Sequence, residues 1–155
     1  MWRLLDVLRQ IPGSELLLFA SAKAPEIDQH WREATKGLPV RRVAEYLPAQ
    51  EIAPRLAAEA DVLAYWYDEV DHYSASGAVT LGLASGVPVL ASPTSWFHDL
   101  RDVTFQPPNL LDGMKQILDH SELRENLSER ACAYCEDNSW PRVAEKHLAL
   151  WDSLI

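Results

Sequence analysis

Residues 60–92, ADVLAYWYDEVDHYSASGAVTLGLASGVPVLAS, decide the fold class. They contain two short apolar runs, Val62 to Trp66 and Val87 to Ala91, with a polar loop and a helix predicted from Ser76 to Ser85 between them. Ser76 suits the helix N-cap, and Gly86 suits the position just after the helix end. A strand, a helix and a further strand in this order are typical of a parallel α/β sheet.

The same alternation continues on both sides of this segment, with helices predicted at 26–36 and 49–60 and from Asn109 onward. We therefore expect an α/β, Rossmann-like doubly wound parallel sheet of about five strands with C-terminal helices, in one domain over residues 1–155. The unbroken apolar run Leu16–Ala20 is typical of a strand covered on both faces. The predicted strands begin at Leu16, Val40, Val62, Val87 and Val103.

Composition and net charge limit the classes of partner that we expect this chain to bind. The formal net charge is −9, which argues against a nucleic-acid partner and against docking on an anionic membrane. No stretch is long and apolar enough to span a bilayer. The two cysteines, Cys132 and Cys135, fit a reducing cytoplasm. Their spacing is that of a redox pair, but they fall in the middle of a predicted helix, so two buried thiols are the preferred interpretation.

The loop from Asp68 to Ala75 leaves the third strand at its carboxyl end, where open parallel sheets bind ligands. Small residues, Ser74, Ala75, Ser76 and Gly77, precede the next helix, whose free N–H groups suit a phosphate. A diphosphate is the ligand that this arrangement favours. The alternative is that these small residues only cap the helix.

The sequence from Ala60 to Leu63 and from Ser76 to Ser92 resembles the C-terminal half of the retaining family 4 (group 1) glycosyltransferases, which have the GT-B fold. The strongest similarity lies in Ala84 to Val89, with the pattern A-x-G-x-P-V, and in Ser139 to Ala144 before the last helix. The resemblance covers nearly the whole chain.

The resemblance implies a domain that holds a UDP- or GDP-linked nucleotide-diphospho sugar, while a separate N-terminal domain binds the acceptor. It implies no metal and no cofactor, and no catalytic residue is assigned to this chain. The backbone around Ser76 to Ala78 would face the diphosphate, and the loop after the second strand would lie near the base. The candidate site comprises Tyr46, Leu47, His72, Tyr73, Ser74, Ser76, Gly77 and Ala78.

The chain departs from the family's pattern in three ways. Tyr73 and Leu81 stand where the family has two glutamates. The family's first strand, with its phosphate-binding Arg and Lys, is absent, and so is the acceptor domain. We therefore expect no sugar transfer by this chain alone. The strand order should be 2-1-3-4-5, with the Leu16 strand beside the Val62 strand, unless a partner chain fills a gap there and makes a homodimer.

Other interpretations stay open. A degenerate module that kept the fold and lost the ligand is favoured by Tyr73 and Leu81, whereas a receiver-like signalling domain lacks the required acidic residues after the first strand. The cluster of Asp68, Glu69, Asp71 and His72 is predicted to be a solvated acidic loop rather than a cation site.

Two histidines and two tryptophans also have predicted positions. We expect His72 and His98 at the ligand edge or on the surface, and Trp140 and Trp151 packed within the last helices.

Overall fold

The computed structural model describes residues 2–20, 24–69 and 76–154. It confirms the alternation of strands and helices. The strands are β1 (Leu16–Phe19), β2 (Val40–Val43), β3 (Leu63–Tyr65) and β4 (Val89–Ala91). The helices are α1 (Trp2–Leu8), α2 (Pro25–Ala34), α3 (Ala49–Glu59), α4 (Gly77–Leu83), α5 (Leu110–Asp119), α6 (Ser121–Asp137) and α7 (Trp140–Asp152), with a 3₁₀ helix over Ser95–Leu100.

The strands form two separate pairs instead of one sheet. β1 pairs in parallel with β2, and β3 pairs in parallel with β4. The parallel direction was predicted, but the continuous order 2-1-3-4-5 is wrong because no ladder joins β1 to β3 in the described part of the chain. Each pair has two outer edges, and among the described residues only the edge of β4 has a further bridge, to Phe105.

The fifth predicted strand, at Val103, is reduced to a single bridge. Phe105 donates its amide to the Val89 carbonyl over 2.8 Å, and its own carbonyl accepts from the Ala91 amide over 2.9 Å. Two prolines follow at Pro107 and Pro108, which lack the N–H groups that a ladder needs. The prediction of a fifth strand is therefore wrong, although the segment lies where that strand was expected.

Burial differs sharply between the pairs. All three residues of β4 are buried, whereas all four residues of β1 are only half-buried. The prediction that Leu16–Ala20 is covered on both faces is therefore wrong for this chain. A strand with an unpaired edge lacks the neighbour whose side chains would cover it.

Alternate residues of β3 and β4 face two apolar clusters on opposite sides of the second pair. Leu63 and Val89 pack into one cluster with α3 and α4, which supply Leu56 and Leu83. Leu90 packs into the other cluster, where α1, α5 and α6 supply Val7, Ile117 and Leu127. Helices thus cover both faces of the second strand pair, but the doubly wound five-stranded sheet that was predicted is not formed.

The C-terminal end of the chain is more exposed than predicted. α7 has no buried residue among those described, and Trp140 and Trp151 are 87% and 59% exposed. The prediction that they pack the last helices is wrong. Cys132 is exposed and Cys135 is only half-buried, so the prediction of two buried thiols is wrong, although both do lie within α6 as predicted.

Candidate functional site

A group of hydroxyl side chains lies where β3 and β4 end, and we call it the hydroxyl cluster: Tyr67, Ser76, Ser92 and Thr94. Ser92 accepts from the Tyr67 amide over 3.0 Å, and its hydroxyl lies 3.3 Å from that of Thr94. The Tyr67 hydroxyl lies 3.2 Å from that of Ser76. The cluster thus ties both strand ends to the residue before α4.

Ser76 holds the start of α4 through its main chain. Its carbonyl accepts from the amides of Val79 and Thr80 over 3.1 and 3.3 Å, and its backbone is extended, as an N-cap requires. Its side chain does not cap the helix, because it meets Tyr67 instead. The predicted position of Ser76 as the N-cap residue is confirmed, without the side-chain hydrogen bond of a cap.

Gly77 and Ala78 form the exposed first turn of α4. No side-chain or backbone atom of the described residues lies within 4 Å of the position that a Cβ on Gly77 would take. The first turn is therefore open on the side of Gly77. The Ala78 carbonyl accepts a hydrogen bond from the Tyr65 hydroxyl over 2.9 Å, and burial raises the pKa of Tyr65 to about 12, with a smaller contribution from Tyr67.

Charged groups border the cluster. Glu69 accepts from the Ser95 amide at 3.1 and 3.2 Å and from the Ser95 hydroxyl, so a carboxylate already sits at the start of the 3₁₀ helix. Arg3 of α1 forms an ion pair with Asp68 at 2.8 Å between Nη2 and Oδ1, with both side chains well exposed. This places one guanidinium at the carboxyl end of β3.

The remaining predicted site residues lie elsewhere or outside the description. Tyr46 is 87% exposed and Leu47 is half-buried, in the loop that follows β2 and therefore leaves the other strand pair. His72, Tyr73 and Ser74, like Asp71, lie outside the described residues. Of the candidate residues that are described, the structure brings Ser76, Gly77 and Ala78 to one place.

Leu81 and His98 were the other positions of interest. Leu81 is half-buried on α4, and His98 is exposed on the 3₁₀ helix after β4. The exposure of His98 agrees with its predicted place in a surface turn and leaves its predicted place at the ligand edge untested.

Sequence reasoning missed Ser92, Thr94 and Arg3. The two hydroxyl residues directly follow β4, so the rule that ligands bind beyond the carboxyl ends of parallel strands could have singled them out. Arg3 gave no such signal, because its closeness to Asp68 depends on how α1 packs.

Two shallow depressions are found away from this edge. One lies between the amino-terminal side of the second strand pair and α6, lined by residues that include Asp61, Pro88 and Arg124. The other lies beside α2 and β2, near Trp31 and Arg42. The described residues contain no group of three or more His, Cys, Asp or Glu side chains that could hold a metal ion. None of the described helices is long and apolar enough to cross a membrane.

Comparison with known proteins adds no assignment. No protein-family model matches the chain, and no curated protein matches it. The function must therefore be inferred from the residues at the carboxyl ends of β3 and β4 and from the sequence pattern that surrounds them.

Proposed function

We propose that the chain is the donor-binding half of a glycosyltransferase, which holds a nucleotide-diphospho sugar beyond the carboxyl ends of β3 and β4. The observation that carries this proposal is the open first turn of α4 beside the hydroxyl cluster. Nothing among the described residues lies within 4 Å of the position that a Cβ on Gly77 would take, and the hydroxyls of Ser76 and Tyr67 lie 3.2 Å apart at the start of the helix. Hydroxyls and the main-chain N–H groups of a first turn are hydrogen-bond donors for phosphate oxygens.

The sequence pattern supports the same ligand class. The segment from Ser76 to Ser92 resembles the nucleotide-sugar half of retaining family 4 glycosyltransferases, and the parallel strand pairs with helices on both faces are compatible with that half. Sugar transfer would need an acceptor domain as a partner.

A ligand-free module descended from such a domain is the second candidate, and the position of Glu69 favours it. The Glu69 carboxylate accepts hydrogen bonds from the Ser95 amide and hydroxyl near the carboxyl ends of the strands, where it would repel a diphosphate. Leu81 adds to this case, because an apolar side chain cannot accept hydrogen bonds from ribose hydroxyls.

Calorimetry with UDP and GDP distinguishes the two candidates. We expect weak binding by the unmodified chain, because the net charge of −9 repels any anion. Gly77→Glu should abolish binding, since it puts a negative charge at the open turn. It should leave the fold intact, because its Cβ meets nothing within 4 Å and acidic residues suit a first turn.

Ala133→Glu is the matched control, since it adds the same charge at an exposed position of α6. It should keep the binding of the unmodified chain. Equal binding by the Gly77→Glu and Ala133→Glu variants would contradict the site. Absence of binding by the unmodified chain would support the ligand-free module instead.

A further inference from the structure

The two cysteines of the chain lie about one helical turn apart on α6. Cys132 and Cys135 are both inside this helix, which runs from Ser121 to Asp137. Residues three apart on an α-helix are neighbours on one face, with about 5–6 Å between their Cβ atoms. The helix therefore holds both thiols on the same side of one regular element.

The core does not enclose these thiols. Cys132 is exposed, and Cys135 is half-buried where it packs against the apolar cluster that contains Leu56 and Leu83. The Cys132 sulfur lies 3.7 Å from the position that a Cβ on Gly86 would take, so this glycine places no side chain against the sulfur. A ligand can therefore reach the pair from solvent on the side of Cys132.

The pair lies away from the hydroxyl cluster, in acidic surroundings. Gly86 comes before β4, which puts Cys132 near the amino-terminal end of that strand. Glu129 and Glu136, three residues before and four residues after Cys132, are exposed on the same face of α6. Arg130 donates to the Asp102 carbonyl over 3.2 Å. Together with the net charge of −9, the two glutamates favour a cation over an anion as the ligand.

The spacing of the two thiols suits a bridging atom better than a direct sulfur–sulfur bond. A disulfide needs Cβ atoms about 3.5–4.5 Å apart, closer than the about 5–6 Å of this helical spacing, so forming one would distort the middle of α6. Two metal–sulfur bonds of about 2.3 Å each span a wider gap between the sulfurs. A metal ion can therefore join Cys132 and Cys135 with the helix intact.

The number of ligands limits the class of metal ion. Structural zinc is held by four ligands, whereas the described residues contain no group of three or more His, Cys, Asp or Glu side chains that could hold a metal. Thiolates select soft ions, of which monovalent copper accepts two sulfur ligands in a nearly linear arrangement. Two thiols on one helix face therefore suffice for this ion.

We propose that Cys132 and Cys135 form a two-thiolate site for a soft monovalent metal ion of the copper(I) class. Each thiol loses its proton as its sulfur binds, so one ion displaces two protons and the complex carries a single negative charge. Burial, with a smaller contribution from the Cys132 thiol, raises the pKa of the Cys135 thiol. The metal ion rather than the solvent therefore drives the loss of that proton at neutral pH. This site is independent of nucleotide binding at the carboxyl ends of β3 and β4.

Competition with a chromophoric chelator of copper(I) tests the proposal on the full, reduced chain in the absence of oxygen. We expect the unmodified chain to take one copper ion from the chelator. Cys132→Ser and Cys135→Ala should each weaken binding about 100-fold or more, because the second sulfur binds intramolecularly and a single thiol loses that gain. Alanine replaces Cys135 because it places no hydroxyl against the apolar cluster.

A double variant, Arg130→Cys with Cys135→Ala, is the matched control. It keeps two thiols in α6 but places them two residues apart, where side chains do not face each other. It should bind copper(I) as weakly as Cys135→Ala alone, although the loss of Arg130 removes a positive charge and would favour a cation if charge alone decided. Far-UV circular dichroism checks that every variant keeps its helices.

Three outcomes would overturn the proposal. The first is no retention of copper(I) by the unmodified chain in dialysis at about 10 μM protein, where a dissociation constant near about 1 μM would be detected. The second is binding by the double variant that equals that of the unmodified chain. The third is one copper ion for every two chains, which would mean that the ion bridges two copies instead of the two thiols of one helix.

Discussion

Two glycines lie where an added Cβ would come within 3 Å of a neighbouring side chain. A Cβ on Gly82 of α4 would lie 2.6 Å from the Tyr65 hydroxyl, and one on Gly113 of α5 would lie 2.1 Å from Pro107 Cγ. Contacts this short force neighbouring atoms to move. Gly113 therefore allows α5 to pack closely over the segment that follows the Phe105 bridge.

We predict that Gly113→Ala lowers the free energy of unfolding by about 1–3 kcal/mol, as overpacking of a filled interior does. The rigid ring of Pro107 cannot turn aside as a flexible side chain would. Gly77→Ala is the matched control, because nothing lies within 4 Å of its Cβ, and it should be neutral or stabilising by about 1 kcal/mol. Urea denaturation of both variants measures the difference, and equal midpoints would contradict the packing argument.

At the element scale, α7 contributes little to the interior. None of its described residues is buried, and its exposed side chains include Trp140, Leu148, Leu150 and Trp151. Its contacts are mainly with α6, and Lys146 donates to the Asp137 carbonyl over 3.0 Å. The helix is therefore held by its connection and a few contacts rather than by an apolar face in the core.

We predict that Trp140→Gln and Leu148→Gln each change the free energy of unfolding by less than about 0.5 kcal/mol, as exposed substitutions do. Leu127→Ala in the neighbouring α6 should cost about 2–5 kcal/mol, because Leu127 is only 4% exposed and its loss leaves a cavity. Denaturant unfolding checks the contrast. A loss above about 1 kcal/mol for either glutamine variant would mean that α7 is covered in solution.

The elements were predictable from sequence because each depends on neighbours in the chain. Three local signals located α4 to within one or two residues: the period of its apolar residues, Ser76 before it and Gly86 after it. Gly86 has a positive φ of +72°, as expected of a glycine just after a helix. Strand pairing depends instead on what lies across the sheet. Leu16–Phe19 has the composition of an interior strand, and composition alone cannot show that its neighbour is missing.

The candidate site was predictable only in part for the same reason. Ser76, Gly77 and Ala78 were found because small residues at a helix start are a local signal. Ser92 was missed because its role comes from the Tyr67 amide, which is 25 residues away in the chain. Tyr46 was assigned by resemblance, and it is highly exposed in a loop of the other strand pair.

At the scale of the whole molecule, ion pairs fasten the β1–β2 pair to its helices. Arg42 of β2 binds Asp28 of α2 at 2.5 Å, and Arg32 also binds that carboxylate at 2.7 Å. Arg41 of β2 binds Glu59 of α3 at 2.5 Å. The strand pair with the more exposed apolar residues thus depends on charge for part of its attachment.

These contacts shift the ionisation of the carboxylates. The hydrogen bond from Arg42 holds the pKa of Asp28 below its usual range, against a smaller opposing effect of desolvation, and the hydrogen bonds from Arg41 and Arg55 do the same for Glu59. A carboxylate whose pKa is lowered by folding stabilises the native state above its unfolded pKa. That contribution is lost as the pH falls through the lower, folded pKa.

The net charge changes the stability of the fold in the opposite direction, and it does so at higher pH. The chain carries −9 at neutral pH and has a sequence pI of about 4.9, so acidification toward pH 5 relieves repulsion among its carboxylates. We therefore expect the urea midpoint to hold or rise slightly between about pH 7 and 5 and to fall below about pH 4, where the paired carboxylates take up protons.

Asp28→Asn isolates the contribution of one such carboxylate to this acid-induced loss of stability. The variant should be less stable than the unmodified chain near pH 7, because Arg42 and Arg32 lose their anionic partner, and the two chains should converge as the pH falls below about 4. Asp119→Asn is the control, since Asp119 is exposed at the end of α5 and forms no ion pair in the described residues. It should leave the difference between neutral and acid stability unchanged.

The gap in urea midpoint between the Asp28→Asn variant and the unmodified chain should also narrow with added salt, because these partly exposed charges are screened. An Asp28→Asn variant whose urea midpoint tracks that of the unmodified chain at every pH would show that the ion pair does not help to hold β2 against α2.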